Sequence, residues 1–154
     1  MSKTILSHLA KTGLSSSGHL NLRVSLYDPT ILEKIVFRIG DLVHGVEFDL
    51  IMTSSSGASP IAAFLSITER VPWLIYDQYK HKKEDFKDKS ILLVGLSCKN
   101  KGRRERYIIQ NIGNISAIVY LVNANGDTLK NIFYDLNIRA FSLTTLESLK
   151  QCKA

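Results

Sequence analysis

Ile91-Leu92-Leu93-Val94-Gly95-Leu96, then Ser97-Cys98-Lys99-Asn100-Lys101-Gly102, then Arg103 onward: this stretch decides the fold. The first six residues are apolar without alternation, the pattern of a strand buried on both faces. The next six are small or polar and predict a loop, and Arg103 to Asn111 predicts a helix. A buried strand that runs through a short loop into a helix is the unit of a parallel α/β sheet, in which ligands bind at the carboxyl ends of the strands.

The same alternation extends in both directions. Downstream, Ser116–Val122 predicts a strand, 123–127 a turn, Thr128–Leu136 a helix and Ile138–Leu143 a last strand, while Thr144-Thr145-Leu146-Glu147 has capping-box spacing for a terminal helix. Upstream, Phe48–Thr53 and Val71–Tyr76 are apolar strands on either side of a helix started by Pro60. Asp28 suits a helix N-cap and Pro29 the first helical position, ahead of the apolar stripe Ile31, Leu32, Ile35, Val36, Ile39, Leu42, Val43. Thr4–Lys11 reads as a short amphipathic helix, 12–18 as a Ser/Gly-rich loop, and His19–Leu26 as a half-exposed strand with Leu20, Leu22, Val24 and Leu26 on one face. The segment 78–90 has little periodicity and reads as a loop or distorted hairpin. The expected fold is α/β, a parallel sheet of about five strands flanked by helices, in one domain over 1–154.

Charge is concentrated around the deciding stretch. Between Gln78 and Arg106 ten Lys/Arg face four acids, a surplus of six, and the rest of the chain is balanced. That surplus is the whole formal charge of +6, and the 45% hydrophobic and 22% charged content is that of an ordinary globular chain. A cationic patch permits a nucleotide, a nucleic acid or another anionic partner. Cys98 and Cys152 form no metal or disulfide pattern, which fits a reducing, cytoplasmic setting. No apolar run reaches the roughly 18 residues of a membrane span, so no membrane partner is expected.

Two loops are candidates for phosphate. Ser55, Ser56, Gly57, Ala58 and Ser59 are small enough to let main-chain N–H groups approach an anion at a helix start. Lys99, Asn100, Lys101, Gly102 and Arg103, with Arg104, place cations at a helix N-terminus. That placement opposes the helix dipole at about 0.3–1 kcal/mol each and argues for a bound anion. Cys98 beside Lys99 is a weaker candidate nucleophile, because no base partner is evident.

In order and spacing these elements resemble the type I phosphoribosyltransferases, orotate phosphoribosyltransferase above all. The likeness runs through Lys11-Thr12-Gly13 with Ser16-Ser17-Gly18, through Asp28-Pro29, through Phe48-Asp49-Leu50-Ile51 with Ser56-Gly57-Ala58-Ser59-Pro60-Ile61-Ala62, through Val71–Tyr76, through Gly126-Asp127-Thr128, and through Leu143-Thr144-Thr145-Leu146. It implies a small hood over 1–27 on an α/β core over 28–154, a homodimer, and a place in pyrimidine nucleotide metabolism. The family's phosphoribosyl pyrophosphate loop has four apolar residues, two acids that hold the ribose hydroxyls, and a Thr/Gly turn that cradles the 5-phosphate. In this chain the acids fall on Gly95 and Leu96, and the turn on Lys99–Arg103. Where the family carries its catalytic lysine, this chain has Lys80, Lys82 and Lys83.

A site built to pair substrate hydroxyls loses roughly 10⁴-fold or more in discrimination when those bonds cannot form. The expectation is therefore a nucleotide- or phosphate-binding protein that is catalytically impaired, and regulatory in role. The alternative is an active transferase making orotidine monophosphate from orotate, with magnesium as its only cofactor and Asp77 or Asp127 standing in for the missing acids. The second alternative is a nucleic-acid-binding module.

Overall fold

In the computed structural model, which describes residues 3–154, five parallel strands form one sheet in the order β2-β1-β3-β4-β5. The strands are β1 (Leu50–Thr53), β2 (Trp73–Ile75), β3 (Ile91–Cys98), β4 (Ile115–Asn123) and β5 (Arg139–Thr145). The helices are α1 (Lys3–His8), α2 (Pro29–Leu42), α3 (Ser59–Glu69), α4 (Arg103–Ile112), α5 (Leu129–Ile132) and α6 (Leu146–Lys153).

The central strands are apolar throughout because each faces a helix layer on both sides. Successive residues of β3 alternate between two cores. Leu92 and Val94 join Ile51, Ala117 and Val119 with α1, α2, α3 and α6, while Ile91 and Leu93 join Leu50, Met52, Ile118 and Tyr120 with α4 and α5. Register is fixed from Leu50 opposite Ile91 to Asn123 opposite Thr145, which aligns the carboxyl ends of β1, β3 and β4 on one edge. Asp28 caps α2 through its carboxylate, which accepts from the main-chain N–H groups of Thr30 and Ile31 at 2.9 and 3.2 Å.

Four local expectations are corrected. His19–Leu26 is not a strand: Leu20 pairs once with Leu14 in an isolated antiparallel bridge, and 24–27 is a 3₁₀ turn. Leu22 and Leu26 are buried while Val24 is 44% exposed, so the spacing that matters is four, not two. The 78–90 segment is a loop and not a hairpin, with a 3₁₀ turn at Lys83–Phe86, and it is pinned to the body of the protein. Phe86 is buried, and Asn114 Nδ2 donates to the carbonyls of Phe86 and Lys87. The cap of α6 is Thr145, whose hydroxyl accepts from Ser148 N, one residue later than the capping-box spacing implied. The helix expected over Thr128–Leu136 stops after one turn, and a 3₁₀ turn over Tyr134–Leu136 follows.

Candidate anion-binding site

The carboxyl edge of β1 and β3 opens into a cavity of about 660 Å³. Its cations are Arg23, Lys99, Arg103 and Arg104, and its one acid is Glu105. The two loops foreseen as phosphate binders flank it and are built in opposite ways.

The loop after β1 is relaxed. Ser54 N and Ala58 N bond to the carbonyls of Val94 and Ser55, whereas the amides of Ser55, Ser56 and Gly57 have no hydrogen-bond partner among the described residues. Ser55 lines the cavity. Arg23, brought in by the 3₁₀ turn ahead of α2, donates from Nη2 to Ser56 Oγ at 3.0 Å. A Cβ on Gly57 would stand 2.8 Å from Arg23 Nε and 2.9 Å from Leu96 Cδ1, so glycine is what lets the guanidinium lie over this loop.

The loop after β3 is strained. Asn100, Lys101 and Gly102 have φ of 49°, 54° and 67°, three left-handed residues in succession, and the first two are not glycine. The turn is tied down from the segment after β4. Asn125 Oδ1 accepts from Lys101 N at 3.0 Å, and Asn125 Nδ2 donates to the Cys98 carbonyl at 2.9 Å. Gly102 N donates to the Lys99 carbonyl, and Arg103 N to the Asn100 carbonyl. A Cβ on Gly102 would fall 2.4 Å from Phe133 Cζ. The amides of Lys101, Gly102 and Arg103 are thus already engaged, and the turn offers an anion mainly side chains.

Lys99, Asn100 and Arg103 reach the cavity, while Lys101 lies in a separate depression with Gly18, His19 and Asn125. Arg106 is withdrawn from the basic patch. It makes a bidentate pair with Asp135, at 2.8 Å for both contacts, donates to the Ile132 carbonyl and stands 5.4 Å from the centre of the Phe133 ring. That pairing lowers the Asp135 carboxyl below its ordinary range, its hydrogen bond from Arg106 being the main cause.

Sequence reading missed Arg23 and Glu105. Arg23 acts 33 residues away from its partner loop, a distance no local pattern reports. Glu105 is the third residue of α4, where an acid suits the helix dipole, and nothing in that pattern marks it as a ligand group. It is only 6% exposed, lines the cavity and makes no ion pair among the described residues. A carboxylate facing a cavity of cations can accept hydrogen bonds from a ligand.

Behind Glu105 lies Tyr120, stacked on Phe133 at 6.3 Å and beside Cys98. Burial, with Glu105 and Cys98 as neighbours, pushes the phenol strongly upward in pKa, and its oxygen meets no partner in hydrogen-bond geometry. Tyr120 also explains Gly95: a Cβ there would sit 2.8 Å from two ring carbons. Burial likewise raises the Cys98 thiol, which accepts from Asn125 Nδ2 and is fully enclosed, so its role is packing.

The remaining candidates lie elsewhere. Lys80 is exposed on a neighbouring cavity and pairs with Asp77 at 3.8 Å. Lys82 opens the 3₁₀ turn at 83–86, and Lys83 reaches Gly113 at the far end of α4. Asp77 and Asp127 cap their own turns, through Tyr79 N and Thr128 N, and neither lines the cationic cavity. One carboxylate among four cations is a poor donor set for a divalent metal, which prefers several oxygen ligands.

An all-parallel five-stranded sheet with a cationic cavity where β1 and β3 end places the chain among the α/β folds that hold phosphates at strand termini. No family model and no curated protein matches the sequence. Solved structures share its fold. UMP synthase of Leishmania donovani superposes with a TM-score of 0.72 at 16% identity over 97% of this chain, which spans 37% of that longer protein. Orotate phosphoribosyltransferase of Mycobacterium tuberculosis, in complex with 5-phospho-alpha-D-ribosyl 1-diphosphate, gives 0.71 at 12% identity over 96% of this chain and 98% of its own. Adenine phosphoribosyltransferase of Thermoanaerobacter pseudethanolicus gives 0.69 at 12% identity over 91% and 99%. The fold is that of the type I phosphoribosyltransferases.

Proposed function

We propose that the chain binds a phosphate-bearing, nucleotide-type ligand in the cavity between β1 and β3 and transfers phosphoribosyl groups poorly or not at all. The observation that carries this reading is the contact between Gly95 and the Tyr120 ring. It leaves no room for the side chain at the first of the two positions where the resemblance requires an acid. Arg23, Lys99, Arg103 and Arg104 supply charge for a phosphate, and the amide of Ser55 supplies a neutral donor at the cavity wall. Glu105 is placed to accept from a ligand hydroxyl, though it comes from a helix rather than from the loop where the acid pair is expected. A role beside an active transferase of pyrimidine metabolism, in a homodimer, is part of the same proposal and rests on the resemblance, while a cytoplasmic setting rests on the two free cysteines.

Calorimetric titration with pyrophosphate, uridine monophosphate, orotate and phosphoribosyl pyrophosphate, with and without magnesium, tests it. The expected result is micromolar-range binding of phosphate-bearing ligands, indifferent to magnesium, and no orotidine monophosphate in a coupled assay. Robust magnesium-dependent formation of orotidine monophosphate overturns the non-transferring half of the reading. Failure of every phosphate-bearing ligand to bind overturns the whole.

A further inference from the structure

On the other side of Arg104 and Tyr107 lies a second cavity, of about 750 Å³, under the carboxyl end of β2. Arg104 and Tyr107 line both cavities and form the ridge between them. The two differ in chemistry. Among the described residues Tyr107 is the only aromatic lining the cationic side, which Leu20 and Leu22 also line. The second cavity brings Tyr76, Tyr79, His81 and Tyr107 together. The sequence shows no aromatics interleaved with Lys99–Arg106 beyond Tyr107, and the fold supplies them from the turn after β2.

That turn is preorganised. The Asp77 carboxylate accepts from Tyr79 N at 2.9 Å, and the Asp77 carbonyl accepts from the amides of Lys80 and His81. Asp77 N donates to His81 Nδ1 at 3.0 Å, which leaves Nε2 as the donor of the neutral ring. The His81 ring is held between Tyr76, at 6.1 Å, and Phe86, edge-on at 5.6 Å. Tyr79 is 88% exposed and Tyr107 47% exposed, so both present ring surface to solvent at the cavity. Aromatic faces beside a guanidinium are the surface on which a nucleobase stacks.

We propose that the second cavity is a subsite for a planar aromatic ring, so that one nucleotide lies across the Arg104–Tyr107 ridge with its phosphate on the cationic side and its ring on the β2 side. The proposal rests on the phosphate reading of the first cavity. The ligand chemistry is that of a nucleotide, free or as one residue of a single strand.

The test is calorimetry on the full chain with pyrophosphate, uridine monophosphate, adenosine monophosphate and hexauridylate, comparing the native protein with Tyr79→Ala and Tyr107→Leu. Loss of one stacking partner is expected to weaken nucleotide binding about five- to a hundredfold and to leave pyrophosphate within about twofold. The exposed Tyr79 makes its variant safe for folding, and Tyr107→Phe should restore most of the affinity. A tyrosine-dependent loss with the monophosphates assigns a free nucleotide, and a loss with hexauridylate alone assigns a strand; either supports the ring subsite. Pyrophosphate binding together with nucleotide affinities indifferent to both substitutions overturns the ring subsite and leaves the phosphate reading standing. Absence of pyrophosphate binding removes both. Substitutions that dissociate a dimer without changing any affinity overturn the subsite in favour of an interface between copies of this chain.

Discussion

The loop after β1 and the loop after β3 meet at the same cavity, yet one is relaxed and the other is strained, with the amides of Lys101, Gly102 and Arg103 engaged in holding the turn. In the first, a glycine makes space for an incoming arginine. In the second, a glycine completes a left-handed turn pressed on Phe133. Both glycines stand just ahead of a helix, yet they do different work: Gly57 serves the site and Gly102 serves the fold.

Substituting each glycine separates those roles. Gly102→Ala meets the Phe133 ring and keeps a positive φ, and it should cost about 2–4 kcal/mol in urea unfolding. Arg23→Ala should leave stability nearly unchanged and weaken pyrophosphate binding about 10- to 100-fold by calorimetry, the value of a hydrogen bond to a charged group. Gly57→Ala displaces the Arg23 side chain, so affinity should fall about tenfold while stability falls by about 1 kcal/mol. If Gly57→Ala proves the more destabilising of the two glycine changes, the contrast between the loops is wrong. Lys101→Gly relieves a left-handed lysine outside the cavity and should stabilise by up to about 1 kcal/mol, with pyrophosphate affinity unchanged within twofold.

The smallest effect concerns pH. The folded Asp135 carboxyl is lowered by Arg106, so its contribution is complete above the ordinary carboxylate value near 4 and is lost as pH falls through the lower folded value. Asp135 is exposed, so the contribution is slight. Comparison of Asp135→Asn with the native chain by thermal unfolding between about pH 5 and 2 should show a small native advantage that vanishes at the acid end.

Much of the fold was legible because it is written locally. The Asp28-Pro29 helix start needs four consecutive residues, and the apolar run Ile91–Val94 needs only burial on both faces. Leu20 to Leu26 was ambiguous because leucines two apart are also leucines four apart, and only packing against the core chose between the periods. Phe86 was a single apolar residue in a charged run, too little for any pattern. The site was half legible. Ser55 and the Lys99–Arg103 cations follow from loop composition, whereas Arg23 and Glu105 enter through tertiary contacts. Arg106 counted toward the patch in sequence and is spent on Asp135 in space.

The fit of Tyr120 against Gly95 also bears on any attempt at redesign. An aspartate placed at 95 alone would be driven into the phenol ring, at a cost of about 1–3 kcal/mol or more. Trimming Tyr120 alone would open a void in the core, at about 3–5 kcal/mol by analogy with other large aromatics. Each single change is destabilising, so the two positions are coupled: an acid fits at 95 only when the residue at 120 is made smaller at the same time.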